Sequence, residues 1–381
     1  MRILITNQAL TKRAGSELYV RDLALGLLAR GHTPIVYSTE LGEVAEEIRN
    51  ATIPVVSDLD KIGAAPDVIH GQHHLETMTA LMHFADAPAV YFCHGWLPWQ
   101  EQPPKFPRII RYLAVDDTCR DRLVLEHGIP EEQTEVLLNF VDLKQFKSRD
   151  SLPLRPKRAA IFSNHPAYAK WFQTVREACA ARNIELDVIG WSDGEGCARP
   201  QDLLGNYDLV FAKGRAALEA LAVGAAVILC DAKGAGPLVK TENFRQLRPL
   251  NFGIRTLRNP VSVAFLTQEI SGYDSNDAAN VSEFIRADAD CEPVIDRLVS
   301  VYQEVLSQHK THQDPSAERR AVALYLHELS WRFQALYEKE IRLDGMEASR
   351  SWKLVSRYIN LKRKLQRTPR NGRPPAPTSH S

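Results

Sequence analysis

The sequence lacks a paired-cysteine motif, a long apolar run and an excess of either charge. Its six cysteines, Cys93, Cys119, Cys179, Cys197, Cys230 and Cys291, lie far apart with no C-x-x-C among them. That spacing suggests neither a zinc site nor a disulfide framework, and a reducing cytoplasm is the expected compartment. No stretch approaches the ~18 apolar residues of a spanning helix. "MRILITN" opens directly as a strand, without the charged-then-apolar pattern of a signal region. Formal net charge is zero, so the molecule as a whole has no electrostatic reason to seek nucleic acid. No repeat of solenoid length is present.

What is there reads as alternating strand and helix. The 381 residues, 44% hydrophobic and 25% charged, suffice for two ordinary domains and a tail. "RILIT", "TPIVYS", "PDVIHG", "PAVYFCHG", "YLAVD" and "TEVLLN" are short unalternating apolar runs, the pattern of parallel strands covered on both faces. Between the first two, Leu18, Leu23, Leu27 and Leu28 recur at helical spacing and Gly31 suits the stop. A basic, Pro-containing stretch, "RDSLPLRPKR", then reads as a linker. "AAIFS", "IELDVIG", "DLVFA" and "AAVILCD" form a second strand series. The spacing predicts α/β architecture, with doubly wound domains over 1–148 and 157–310 and a ligand cleft where their strand ends face each other. "VIDRLVSVYQEVLSQ" is an amphipathic helix. A helical extension is expected over 311–368 and a disordered tail over 369–381. From Gly345 to Ser381, nine Lys/Arg stand against one acid, Glu347, a local excess of +8.

The residue out of place is Glu219, a carboxylate in the Ala/Leu-rich helix of "VFAKGRAALEALAVGAAVILCD". A carboxylate on an apolar helix must be solvated, paired or used. Close to the start of a helix that follows a strand end, it can accept hydrogen bonds from a ribose diol. Lys213 and Arg215, beside Gly214 at the helix start, could meet phosphate. The alternative is an (i, i+4) pair of Arg215 with Glu219; the spacing leaves both open. Gly15 lets a ligand approach the loop after the first strand, although that loop is not G-x-G-x-x-G. His94 ends "VYFCHG" at the ligand edge, where a histidine can hydrogen-bond a polar ligand. "DAD" at 288–290 reads as solvated surface. The adjacent histidines of "GQHHLE" point apart and do not suggest a shared metal.

In order, "AGSELYVRDLALGLLARGHTPIVYS", "VYFCHGWLP", "YLAVDDTCRDRLVLEHGIPEEQTEVLLNFVDLKQF" and "GRAALEALAVGAAVILCD" resemble the motifs of family 4 retaining glycosyltransferases, covering about residues 1–307. The resemblance implies a GT-B fold, in which two Rossmann-like domains face across a cleft and a final helix crosses back to the first. It implies an acceptor on the first domain, a nucleotide-diphosphate sugar on the second as co-substrate, no other cofactor and no essential metal. Glu219 is then similar to the carboxylate that binds the donor ribose. Gly15, Gly214, Gly234 and Gly236 would line the donor phosphates with Lys213 and Arg215, His94 would lie near the donor sugar, and Lys170 would be the phosphate-binding lysine. Departures stand beside the matches. The family's first glutamate, eight positions before Glu219, is Phe211, and Pro237 stands where a loop acid would be. Asn164 or His165 occupies the place of an arginine. A degenerate binding protein and a nucleotide-sugar epimerase therefore remain alternatives to transfer in surface-polysaccharide synthesis. "MEASRSWKLVSRYINLKRKLQR" resembles the closing segment of bacterial surface-polysaccharide glycosyltransferases. As a basic amphipathic helix it would either lie on anionic lipid at the inner membrane face or pack on the body. The expected acceptor is a glycan or a lipid-linked glycan.

Overall fold

The computed structural model describes residues 1–164, 170–190, 197, 199–309, 314–349, 351, 352 and 354–359. His165 and the expected tail over 369–381 lie outside the described residues. The first series contains β1 (Arg2–Leu10), α1 (Gly15–Ala29), β2 (Thr33–Leu41), α2 (Glu43–Asn50), β3 (Val55–Val56) and β4 (Val68–Gly71). It continues with α3 (His74–His83), β5 (Ala89–Cys93), β6 (Ile109–Ala114), α4 (Asp117–Asp121) and β7 (Thr134–Val136). These strands form one parallel sheet in the order β3-β2-β1-β4-β5-β6-β7. The order reverses between β1 and β4, so the loops after those two strands open a crevice at their carboxyl ends.

The second series begins with β8 (Arg158–Ser163), α5 (Lys170–Ala180), β9 (Glu185–Gly190), β10 (Leu209–Ala212), α6 (Gly214–Val223), β11 (Ala226–Asp231) and β12 (Gly234–Leu238). The helices α7 (Thr241–Leu247), α8 (Val263–Ser271), α9 (Ser275–Asp288) and α10 (Cys291–His309) follow. The sheet order is β12-β11-β10-β8-β9, parallel except for β12. Every strand anticipated from the apolar runs is present; β3 and β12 carried no such run. β12 reads "GAGPL", which is poor in strand formers. Its antiparallel pairing with β11 and the bridge from Ala235 to Asn259 supply what its composition does not.

The runs are unalternating because both faces of the second sheet are covered. Val210, Ala212, Val227 and Leu229 pack into the core on one face, and Leu209, Phe211, Ala226 and Ile228 into the core on the other. Successive strand residues point to opposite faces, so a strand with two dry faces must be apolar throughout. Phe211 is wholly buried there. Gly190 ends β9 at φ +121°, and a Cβ at this position would sit 2.2 Å from the Ser163 carbonyl. Only glycine fits so close to the end of β8.

The helix α10 runs from the second series back onto the first, the crossing that the family resemblance implies. It packs against α1 so closely that a Cβ on Gly26 would lie 2.1 Å from Ile295. Arg30 of α1 bonds Glu292 at 2.8 Å and Asp296 at 2.5 Å, and Arg297 reaches Glu135 of β7 at 2.7 Å. Inside the interface the Tyr302 hydroxyl pairs with His70 Nδ1 of β4 at 2.7 Å, both groups fully buried. Residues 288–290 end α9 and lead into α10, and Asp288 is paired with Arg248 at 2.6 Å. Next in the chain, α11 (Pro315–Ala348) is a single 34-residue helix, with Trp331, Phe333, Leu336 and Tyr337 exposed. No described helix is long and apolar enough to cross a membrane.

Replacing Tyr302 with Phe strands a buried imidazole nitrogen, which costs about 1–3 kcal/mol. Urea unfolding of Tyr302→Phe should show a lower midpoint with an unchanged slope; a midpoint equal to wild type would contradict the crossing contact described above.

Candidate functional site

The carboxyl edges of the two sheets enclose a cavity of about 580 Å³. Of the residues singled out in the sequence, Gly15, His94, Lys213, Gly214, Arg215 and Glu219 line it. Lys170, Gly234 and Gly236 are not among its lining residues. Lys170 is exposed at the first residue of α5. The two glycines are packed structurally in β12: a Cβ on Gly234 would meet the Asn259 carbonyl at 3.0 Å, and one on Gly236 the Thr256 carbonyl at 2.7 Å. Their smallness serves the neighbouring backbone, which corrects the phosphate-lining expectation.

On the second-domain side, β10 turns into α6 through Lys213 and Gly214. Gly214 takes φ +56°, and its N–H donates to the Phe252 carbonyl at 2.8 Å. No side chain caps α6, so its first turn presents backbone N–H groups to the cavity wall. Lys213 Nζ stands 3.1 Å from Asp231 at the end of β11, a carboxylate only 5% exposed that also lines the cavity. Facing them is the start of α1, where Gly15 has open space in place of a side chain. Asn164, from the end of β8, donates across the cleft to the Arg13 carbonyl at 3.0 Å.

Glu219 sits in this wall and is 4% exposed. The (i, i+4) pair left open by the spacing does form, with Arg215 Nε donating to Glu219 Oε1 at 2.8 Å. Arg215 also bonds Asp22 of α1, so the guanidinium joins carboxylates from both domains. Burial pushes the Glu219 carboxyl above the usual carboxylate range, and Arg215 opposes that shift. Of the two readings left open for Arg215, phosphate contact or the pair with Glu219, the structure forms the pair and adds Asp22 as a second carboxylate partner.

The first-domain wall is an imidazole and carboxylate cluster. His94 stacks on Phe92 with ring centroids 4.4 Å apart and meets Tyr19 edge-on at 4.4 Å. Its backbone N–H donates to Glu101 Oε2 at 2.8 Å. The Gln8 N–H donates to His73 Nδ1 at 3.0 Å, which leaves the His73 proton on Nε2, 3.6 Å from Glu101 Oε1. Burial alone would raise Glu101, but His73 and His94 outweigh it and hold this carboxyl below its usual range. His94 is pushed down to about 4, chiefly by burial, and is neutral at pH 7. Asp116 caps α4 by accepting from the Cys119 N–H at 2.7 Å and also lines the cavity, its carboxyl raised by burial. Sequence reasoning missed Asp22, Glu101, Asp116 and Asp231. Asp231 ends the "VILCD" strand at the ligand edge and was findable by the rule that found His94; Glu101 lies in an irregular loop with no periodic signal. His73, set aside as a metal ligand, belongs instead to the Glu101 cluster. Among the described residues no group of His, Cys, Asp and Glu has the arrangement of a metal site.

Comparison with known proteins agrees with the architecture. Residues 13–145 match the family model described as Glycosyltransferase Family 4. A search of curated proteins gives no match. Among solved structures, a glycosyltransferase from Rickettsia africae ESF-5 superposes with a TM-score of 0.58 at 14% identity, over 80% of this chain and 98% of that one. Anabaena Alr3699/HepE, solved in complex with UDP and glucose, gives 0.57 at 16% identity, over 80% and 100%. Sucrose-phosphate synthase from Thermosynechococcus elongatus gives 0.56 at 14%, over 81% and 99%. The fold is GT-B, with a helical C-terminal extension.

The buried histidines give the protein an acid-sensitive side. His70 and His94 are lowered to about 3 and about 4 from an ordinary 6.5, so below pH 6.5 the unfolded chain takes up protons that the folded chain refuses. Each such histidine removes up to ~1.4 kcal/mol of stability per pH unit over that window. Burial-raised carboxyls such as Glu219 and Asp116 act with the opposite sign, so a variant isolates the histidine contribution. Unfolding free energy of His94→Asn should fall less steeply than wild type between pH 6.5 and 4.5; parallel curves would contradict the assignment.

Proposed function

Starting from a chain that matches family 4 glycosyltransferases over residues 13–145 and folds as GT-B, we propose a retaining, metal-independent transfer of a sugar from a nucleotide diphosphate to a glycan or lipid-linked acceptor. The observation that carries the reading is the position of Glu219. It lies in the cleft wall on the same helix whose open N-terminus faces the glycine loop of the other domain. A nucleoside diphosphate laid along α6 would set its ribose hydroxyls against Glu219 and its phosphates against the first-turn N–H groups. Lys213 stands at that turn, and as a cation it would offset charge growing on the departing diphosphate. The neutral His94 ring lies across the cavity, where the donor sugar would extend. It would accept or donate a hydrogen bond without adding charge. No protein nucleophile is assigned, the leaving phosphate itself assisting attack by the acceptor on one face.

Loss of the Glu219 hydrogen bonds to ribose should weaken nucleotide binding by roughly 10- to 100-fold, the equivalent of about 1.4–2.8 kcal/mol. Thermal-shift screening with UDP-, GDP- and dTDP-sugars selects the base, since a ligand bound to the folded state alone raises its stability. Calorimetry on Glu219→Ala then tests the contact, and affinity equal to wild type would remove it.

The acceptor would be met at the inner membrane face, with the basic C-terminal segment on anionic lipid. Deleting residues 345–381 should abolish co-sedimentation with phosphatidylserine vesicles at low salt; unchanged sedimentation would contradict the membrane reading.

A further inference from the structure

We infer that Arg215 is a positioning residue, fixed by Asp22 from the opposite domain, which holds Glu219 in place for the nucleotide. The inference rests on the reading that Glu219 receives the ribose.

The geometry separates this role from phosphate binding. The Arg215 side chain is 10% exposed, and its guanidinium is spent on Glu219 at 2.8 Å and on Asp22. Swinging it toward a phosphate would take from buried Glu219 its hydrogen-bonded cation and leave Asp22 with Arg21 alone. Asp22 is in turn held by Arg21 at 2.7 Å, and Arg21 by Glu47 at 3.0 Å, with Arg13 also on Glu47. Charges of alternating sign thus run from the loop before α1, through α2 and α1, to the nucleotide helix. The first domain takes part in the nucleotide site through this chain while leaving the cavity space free.

The consequence is electrostatic. Glu219 is buried, so its carboxyl tends to hold a proton, and Asp22 pushes the same way; Arg215 and, less strongly, Arg21 oppose them. His94 lies near enough to feel Arg215 but is itself neutral at pH 7. Arg215 favours the ionised form, in which Glu219 offers two acceptor oxygens to a diol through charge-assisted hydrogen bonds. Without it, burial and Asp22 favour a neutral carboxylic acid, which is a weaker acceptor for the same hydroxyls.

The test is the pH profile of nucleotide binding, measured by calorimetry between pH 6 and pH 9 with whichever of UDP, GDP and dTDP gives the largest thermal shift. Wild type and Arg215→Lys should lose less affinity at pH 6 than Arg215→Met does. Arg215→Met should bind at least about tenfold more weakly at pH 6 and recover toward wild type at the alkaline end. A loss equal at every pH would overturn the inference, since a missing phosphate contact or a misfolded helix produces that result. Should Arg215→Met not fold, the double variant Asp22→Asn/Arg215→Met removes the stranded partner as well and is held to the same profile. Glu219→Gln separates the two readings. If it binds as wild type, the ribose assignment itself fails; if it binds weakly and without pH dependence while Arg215→Met is also flat, only the role of Arg215 fails.

Discussion

Three charges buried where two domains meet set the terms for the rest of the molecule. Arg215 cannot be dry without partners, and it has them on both sides of the cleft: Asp22 on α1 and Glu219 on its own helix. Breaking such a group by removing one member typically costs 3–5 kcal/mol, because an uncompensated charge is left behind. The arrangement therefore ties the relative placement of α1 and α6 to the ionisation of Glu219. The crossing helix α10 fixes the two domains from the far end through Tyr302 and Arg30. Between these anchors the carboxyl edges of both sheets face a cavity whose walls differ in kind.

The second-domain wall is a helix start with open backbone donors, an ion-paired lysine and a paired glutamate, suited to phosphate and hydroxyl groups. The first-domain wall holds neutral imidazole over an ionised Glu101 that is itself secured by His73 and by the His94 backbone. A histidine kept uncharged beside a fixed carboxylate can hydrogen-bond polar groups without adding charge, whereas the opposite wall offers the open backbone N–H groups at the start of α6.

Much of this was legible in the amino-acid order, and the failures have physical reasons. Strands such as "AAVILCD" were readable because a sheet dry on both faces permits nothing but apolar residues. β12 was not, since "GAGPL" becomes a strand only through its neighbours β11 and Asn259. Glu219 stood out because it contradicts its own helix, but its spacing to Arg215 could not say that the arginine reaches a second domain. That contact joins residues 193 positions apart and leaves no local pattern. Gly234 and Gly236 looked like phosphate-loop glycines, yet they are small because the Asn259 and Thr256 carbonyls press on them. Composition marks a glycine and leaves its neighbour unnamed.

The placement of the nucleotide on α6 is the claim from which the other functional readings follow. A crystal structure of the protein with a bound nucleoside diphosphate tests it most directly. The account predicts ribose hydroxyls within hydrogen-bond distance of Glu219, phosphates at the Gly214 turn, and Arg215 still joined to Asp22. A nucleotide seated against the β1–β4 crevice, with Glu219 untouched, would contradict it.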